Sequence, residues 1–187
     1  MPFDIPVWAG VLLFMATVIA MEGVAIWAHE HVMHGWGWFL HKSHHEPRMG
    51  WFEWNDLYGV IGAITAITLF WMGTQEGWGS FFVWLASGIT AYGAIYFGFH
   101  DVIVHRRVET GYVPRGKYMK RIVQAHRLHH VVESKTGTVS FGFLWSPPID
   151  VLKKQLAANI ASGDARMRRN AMDRMAMTET RVPPAGG

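Results

Sequence analysis

The chain reads as an all-α integral membrane protein with three, at most four, transmembrane helices, and three observations predict it. Half of its 187 residues are hydrophobic, and they gather into three long apolar runs. All 17 Lys and Arg residues fall outside those runs. Ten of the 11 histidines form one arrangement written twice: His29-x4-His34 then His41-x2-His44-His45, and His100-x4-His105 then His126-x2-His129-His130. Neutral imidazole is the commonest side-chain metal ligand. Two matched sets, each following an apolar run, therefore predict a histidine-rich site for two metal ions where the helices leave the bilayer.

The first run, Ile5–Trp27, carries a single charge, Glu22. The second, Leu57–Met72, and the third, Phe81–Phe99, carry none. A spanning helix needs roughly 20 apolar residues, within about 17–25, so the second run reaches that length only if it extends to Trp54 and Thr74. Trp8, Trp27, Trp71 and Trp78 fall near the predicted span ends, where an aromatic belt is expected. The glycines at 59, 62, 88, 93 and 98 suit close helix approach or leave room for a thin apolar ligand. Beyond residue 150, Asp150 is placed to cap a short amphipathic helix with Val151, Leu152, Leu156 and Ile160 on one face. That helix is suited to the membrane surface. From about Ser162 the chain turns polar and reads as a disordered tail.

Charge sets the orientation. No Lys or Arg precedes Lys42 or lies between Arg48 and Arg106. Three spans leave the N-terminus and the loop 73–80 on one side, and every Lys and Arg, with both histidine sets, on the other. The positive-inside rule makes that second side cytoplasmic. The basic balance, +3 with histidine neutral, then reflects membrane orientation rather than nucleic-acid binding. The N-terminus has Asp4 and no basic residue, so it lacks the n-region of a cleavable signal. The absence of cysteine excludes disulfides, iron–sulfur clusters and thiolate metal sites. No dinucleotide fingerprint or P-loop is present, so electrons for any oxidative chemistry must come from another protein.

On an α-helix, H-x2-H-H places three imidazoles on one face within a turn, where they serve one metal or bridge to a neighbour. The H-x4-H pairs do not stack: five residues turn by about 500°, or about 140° net. They serve different faces of a dinuclear site, or the helix distorts between them. A zincin motif starting at His29-Glu30 fails because position 33 is Met33. Haem needs one or two histidines rather than two sets of five. A transporter would carry its ligands near the midplane, whereas these lie at span ends. All-nitrogen ligation suits zinc, copper, iron or nickel alike.

The runs His34-Gly-Trp-Gly-Trp-Phe-Leu-His41-Lys-Ser-His44-His45-Glu46-Pro47, His100-Asp101-Val-Ile-Val-His105-Arg106 and Ala125-His126-Arg-Leu-His129-His130 resemble bacterial β-carotene 3-hydroxylases. These belong to the membrane fatty-acid hydroxylase and sterol desaturase superfamily. Asn55-Asp56-Leu57-Tyr58, Thr90-Ala91-Tyr92-Gly93 and Val139-Ser140-Phe141-Gly142-Phe143-Leu144 extend the resemblance over roughly residues 5–150. It implies a fatty-acid hydroxylase-like membrane domain over 1–150, with 151–187 as the amphipathic helix and polar tail. It implies two iron ions held by His29, His34, His41, His44, His45, His100, His105, His126, His129 and His130, leaving His31 out. It further implies dioxygen as co-substrate and electrons from ferredoxin and its reductase. The implied reaction is C3 hydroxylation of the β-ionone rings of β-carotene, through β-cryptoxanthin to zeaxanthin. The implied location is the bacterial inner membrane, with the site on its cytoplasmic side. The superfamily often has four spanning helices, against the three read here.

Ligating histidines usually pass their other N–H to a carboxylate or carbonyl. Asp101, next to His100, is the first such candidate, with Glu30, Glu46 and Asp56 behind it. Glu22 precedes His29 by seven residues, within about 20° of the same helical face, and an ionisable group inside a span is a functional candidate by default. Snorkelling to the interface explains it equally. Arg106, Arg107, Arg115, Lys117, Lys120 and Arg121 offer a surface for an acidic ferredoxin, although positive-inside bias accounts for them as well. The rival readings are a carotenoid ketolase or lipid desaturase of the same superfamily, and a metal-binding or transport protein without redox turnover.

Overall fold

The computed structural model describes residues 1–47, 50–163 and 170–176, and among these the protein is helical without strands. Six α-helices follow in order: α1 (Val7–Trp27), α2 (Trp38–His45), α3 (Asp56–Thr74), α4 (Ser80–Tyr96), α5 (Lys117–His129) and α6 (Ile149–Ser162). Two of them run on as π-helix, α1 through Ala28–Trp36 and α4 through Phe97–Val104. Three helices, Val7–Trp36, Asp56–Thr74 and Ser80–Val104, are long and apolar enough to cross a membrane. The second reaches Thr74 as expected but starts at Asp56 rather than Trp54, for 19 residues.

The two ends of the bundle are set by backbone pairing. The Phe3 N–H donates to the Trp78 carbonyl at 2.8 Å, and the Phe81 N–H to the Phe3 carbonyl at 3.1 Å. The Ser80 N–H donates to the Asp4 carboxylate at 2.9 Å. The N-terminus and the α3–α4 turn therefore share the end opposite the histidines.

α4 lies between α1 and α3 and packs on both. Lipid tails are as apolar as these side chains, so close backbone approach, not hydrophobic exclusion, holds such helices together. Gly88 meets Thr17 this way: a Cβ there would stand 2.6 Å from the Thr17 Cβ. Of the five glycines read as serving close packing or leaving room for an apolar ligand, Gly88 serves close packing, and Gly59, Gly62, Gly93 and Gly98 face open space. Trp8, Leu12, Ile19, Ile64 and Ile67 point outward and exposed, as a lipid-facing surface requires. Trp27, Trp71 and Trp78 are exposed at span ends, in keeping with an aromatic belt.

The hydrophobic core proper lies outside the spans. Ala125, Val131, Val132, Val139, Leu152, Leu156, Ile160 and Ala171 form one buried cluster. The apolar face of α6 is thus spent on α5 rather than on the membrane surface. Val151 departs from its predicted face and is 51% exposed. Pro148 is the residue that precedes α6, and Asp150 lies in its first turn without capping it. Residues 170–176 are helical where a disordered tail is expected. Arg174 within them donates to the carbonyls of His130 at 2.8 Å and His45 at 2.9 Å. The rest of the expected tail, 164–169 and 177–187, lies outside the described residues.

Replacing Gly88 by Leu should cost roughly 1–3 kcal/mol through overpacking against Thr17, read as a lower melting temperature in detergent. Gly62→Ala, which adds its methyl to open space, should leave that temperature unchanged.

Candidate metal centre

The two π-helical stretches resolve the H-x4-H problem. A π-helix closes hydrogen bonds between residues five apart, so such residues come into line along it. The His105 N–H donates to the His100 carbonyl at 2.9 Å, and the Gly37 N–H to the Val32 carbonyl at 2.8 Å, both across five residues. The His29 and His34 rings are thereby 5.3 Å apart and those of His100 and His105 4.6 Å. Each span ends by presenting two imidazoles to one place. Gly35 leaves helical geometry (φ −102°, ψ −127°) and turns the chain into α2.

The ten histidines of the repeat form two groups, and neither is one copy of the repeat. One comprises His29, His34, His41 and His129, the other His44, His100, His105 and His126; within each, four ring nitrogens lie within 4.8 Å of one another. His45 joins the first, 4.9 Å from His129 and 5.0 Å from His34 and His41 between ring centres. His130 joins the second, with its Nε2 2.9 Å from that of His126. Both H-x2-H-H trios are therefore split. α2 sends His44 to the second group, and α5 sends His129 to the first. His45 and His130, 4.5 Å apart, form the seam between the groups.

Hydrogen bonds on the outer nitrogens set which atom faces inward. The Nδ1–H groups of His29, His34, His45 and His129 donate to the carbonyls of Phe141, Lys135, Val132 and Val139 at 2.9–3.0 Å. His41 donates to Asn55 Oδ1 at 2.7 Å, His44 to Glu53 at 3.1 Å and His100 to Asp101 at 3.1 Å. An oxygen acceptor at Nδ1 selects the tautomer with a bare Nε2. Three pairs then face each other lone pair to lone pair: His29–His41 at 3.1 Å, His34–His129 at 3.2 Å and His44–His100 at 3.1 Å. The Nε2 of His45 is buried with no hydrogen-bond partner. Burial and neighbouring imidazoles hold His44, His45, His126, His129 and His130 well below the ordinary imidazole pKa, and burial pushes His41 down to about 3. Those six rings are thus neutral donors.

This donor set fits two metal ions. Metal–nitrogen bonds of about 2.1 Å place ligands about 3.0 Å apart at right angles and about 3.4 Å apart at the tetrahedral angle. The facing pairs match the first spacing.

Other candidates fall into distinct places. His31 is exposed and stacks on Trp27, 5.9 Å between ring centres. Glu30 is exposed, and Glu46 pairs with Lys42 at the surface. Asp101 lies 3.1 Å from His100 Nδ1. Glu53, which holds His44, and Asn55, which holds His41, had no metal-like spacing to mark them. Arg107 does not belong to a docking surface: its side chain is 11% exposed and bonds Asp56 at 2.7 Å, with Glu53 at 3.8 Å and Asp101 at 3.9 Å. Its contact with Asp56 raises its pKa further.

Glu22 bonds the loop 143–145 and Tyr92. One carboxylate oxygen accepts the N–H groups of Phe143, Leu144 and Trp145 at 2.8–3.0 Å, and the other accepts the Tyr92 hydroxyl at 2.8 Å. The charge anchors the loop whose Phe141 carbonyl orients His29. Phe143 in the same loop stacks on His29 at 5.1 Å and meets His100 edge-on at 5.2 Å. One apolar ring thus covers a histidine of each group.

The fold and site define a helical membrane protein with two all-histidine groups that could hold metal ions. The chain is 49% identical to a β-carotene hydroxylase of Pantoea ananas over 150 residues, 80% of this chain and 84% of that protein. It is 49% identical to a β-carotene hydroxylase of Paracoccus sp. (strain PC1), over 78% of this chain and 89% of that one. It is 42% identical to a chloroplastic β-carotene 3-hydroxylase of Haematococcus lacustris, over 73% of this chain and 43% of the longer algal protein. No family model and no solved structure matches it. The chain belongs to the β-carotene hydroxylase family.

His44→Ala and His129→Ala should each lower bound metal, measured per chain by elemental analysis, and abolish turnover. His31→Ala should retain both. Glu22→Ala should weaken metal binding roughly 10-fold or more by releasing the Phe141 carbonyl from His29, measured by competition with a chelator.

Proposed function

We propose that this protein is a non-haem di-iron monooxygenase that hydroxylates C3 of β-ionone rings, taking β-carotene to β-cryptoxanthin and then zeaxanthin. The observation that carries the reading is the set of facing, neutral imidazole lone pairs at the ends of apolar spans, in a chain nearly half identical to proteins named β-carotene hydroxylase. The ten ligands are His29, His34, His41, His45 and His129 for one ion, and His44, His100, His105, His126 and His130 for the other. Right-angle nitrogen spacing favours a five- or six-coordinate metal over tetrahedral zinc, which supports iron.

Hydroxylation replaces one C–H by C–OH; the second atom of dioxygen leaves as water after taking up two electrons and two protons. Bound iron supplies the activation of dioxygen, which is the cofactor's own chemistry. The chain's part is to orient and exclude. Asp101, Glu53, Asn55 and four backbone carbonyls fix the tautomer and angle of seven rings. Phe143 and Tyr96, whose ring lies 4.6 Å from that of His100, make the adjoining wall apolar. That suits a hydrocarbon arriving from the bilayer. On the far side, a cavity of about 280 Å³ lined by His44, His105, His126, His130, Arg127 and Arg174 opens beside the second group. It gives water and protons a polar approach.

We place the centre on the cytoplasmic face of a bacterial inner membrane, because every Lys and Arg lies on that side of the spans. Reduced ferredoxin, regenerated by its reductase, is the proposed donor. The exposed Arg106, Arg115, Lys117 and Lys120 supply the complementary charge.

Iron-loaded protein in lipid, given β-carotene, dioxygen, ferredoxin and its reductase, should yield zeaxanthin through a singly hydroxylated intermediate, each step adding one oxygen by mass. A product that gains oxygen and loses two hydrogens would make it a ketolase. One that only loses two hydrogens would make it a desaturase. No oxidised product would end the redox reading.

A further inference from the structure

The two histidine groups are supported by different chemistry. Every ring of the first group passes its Nδ1–H to a neutral oxygen: the carbonyls of Phe141, Lys135, Val132 and Val139, and the amide of Asn55. In the second group, His44 and His100 donate instead to the carboxylates of Glu53 and Asp101. Those carboxylates belong to one partly buried cluster. Arg107 bonds Asp56 at 2.7 Å and lies 3.8 Å from Glu53 and 3.9 Å from Asp101. The Glu53 N–H donates to Asp56 at 2.9 Å, and the Arg107 N–H to the Asp101 carbonyl at 2.8 Å. Three carboxylates and one guanidinium thus stand together beside the second group.

We infer that the two metal positions are unequal, and that the position bounded by His44, His100, His105, His126 and His130 holds its ion the more tightly. This rests on the di-metal reading above. A carboxylate accepting the Nδ1–H draws the proton outward and makes Nε2 a stronger donor, which a carbonyl does less. Arg107 acts as a positioning residue. It holds Glu53, Asp56 and Asp101 in place.

The test is stepwise removal of iron(II) from the loaded, purified protein by a chromophoric chelator under anaerobic, reducing conditions. Iron lost per chain is followed by absorbance, and the half-depleted protein by Mössbauer spectroscopy. Wild type should release two irons in two separated steps. Asp101→Asn and Glu53→Gln should each weaken the tighter step 10–100-fold, leave the looser step in place and change the spectrum of the retained iron. Asn55→Asp, which gives His41 a carboxylate partner, should tighten the looser step and draw the two together. Two irons released with one affinity, or Asp101→Asn weakening only the looser step, would overturn the inference while leaving the di-metal reading intact. Binding of fewer than two irons per chain would overturn that reading, and this inference with it. Should the carboxylate variants fail to fold, Asn55→Asp decides alone: an unchanged looser step overturns the proposal.

Discussion

Bare imidazole nitrogens turned toward one another about 3 Å apart repel unless a cation lies between them, and the rest of the structure follows from that arrangement. Ten rings must converge from four helical elements with their Nε2 atoms inward, so each needs an acceptor on its outer nitrogen. For seven of them that acceptor is seen: Glu53 and Asn55 from the loop before α3, four carbonyls from the chain between α5 and α6, and Asp101 from the π-helical end of α4. α1 and α4 must end together, and α2 and α5 must lie across those ends. The splitting of both H-x2-H-H trios has the same origin. Each trio sits where the two groups meet, so its three rings, pointing from one helix face, divide between them.

The bundle and the layer beneath it divide the work. Within the bilayer the helices satisfy their own backbone hydrogen bonds and meet by close approach, as Gly88 does against Thr17. Outside it, apolar burial regains its force, and α5, α6 and the segment 170–176 assemble the hydrophobic core. The two histidine groups occupy the boundary. Glu22 ties the two regimes together by reaching from α1 to three backbone N–H groups of the loop 141–145. A half-buried carboxylate with four donors is a satisfied charge.

Much of this was legible from residues alone. The three apolar runs mark the three spans, and the distribution of Lys and Arg puts both histidine sets at one end. Asp101 was legible because it adjoins a histidine of the repeat, and His31 because it lies outside the repeat that the family resemblance assigns. Glu53 and Asn55 were not, since a side chain arriving from a loop keeps no period with the histidines it supports. Arg107 looked like surface charge because its neighbours in the chain are surface charge; only its fold neighbours, Asp56 and Glu53, are acidic. α6 looked like a surface helix because an amphipathic face does not say whether it meets lipid or protein.

The residues themselves thus determined the class of architecture, the side of the membrane that carries the basic residues, and the supply of ten imidazoles in two matched sets. They did not determine how those imidazoles are shared or which nitrogen each presents. The π-turns that align His29 with His34 and His100 with His105 are a choice between hydrogen-bond registers that differ little in sequence preference. Four of the seven groups that orient the rings are main-chain carbonyls, at Val132, Lys135, Val139 and Phe141. A carbonyl is the same in every residue and leaves no mark in a sequence, so only the folded chain can say which one stands beside which histidine.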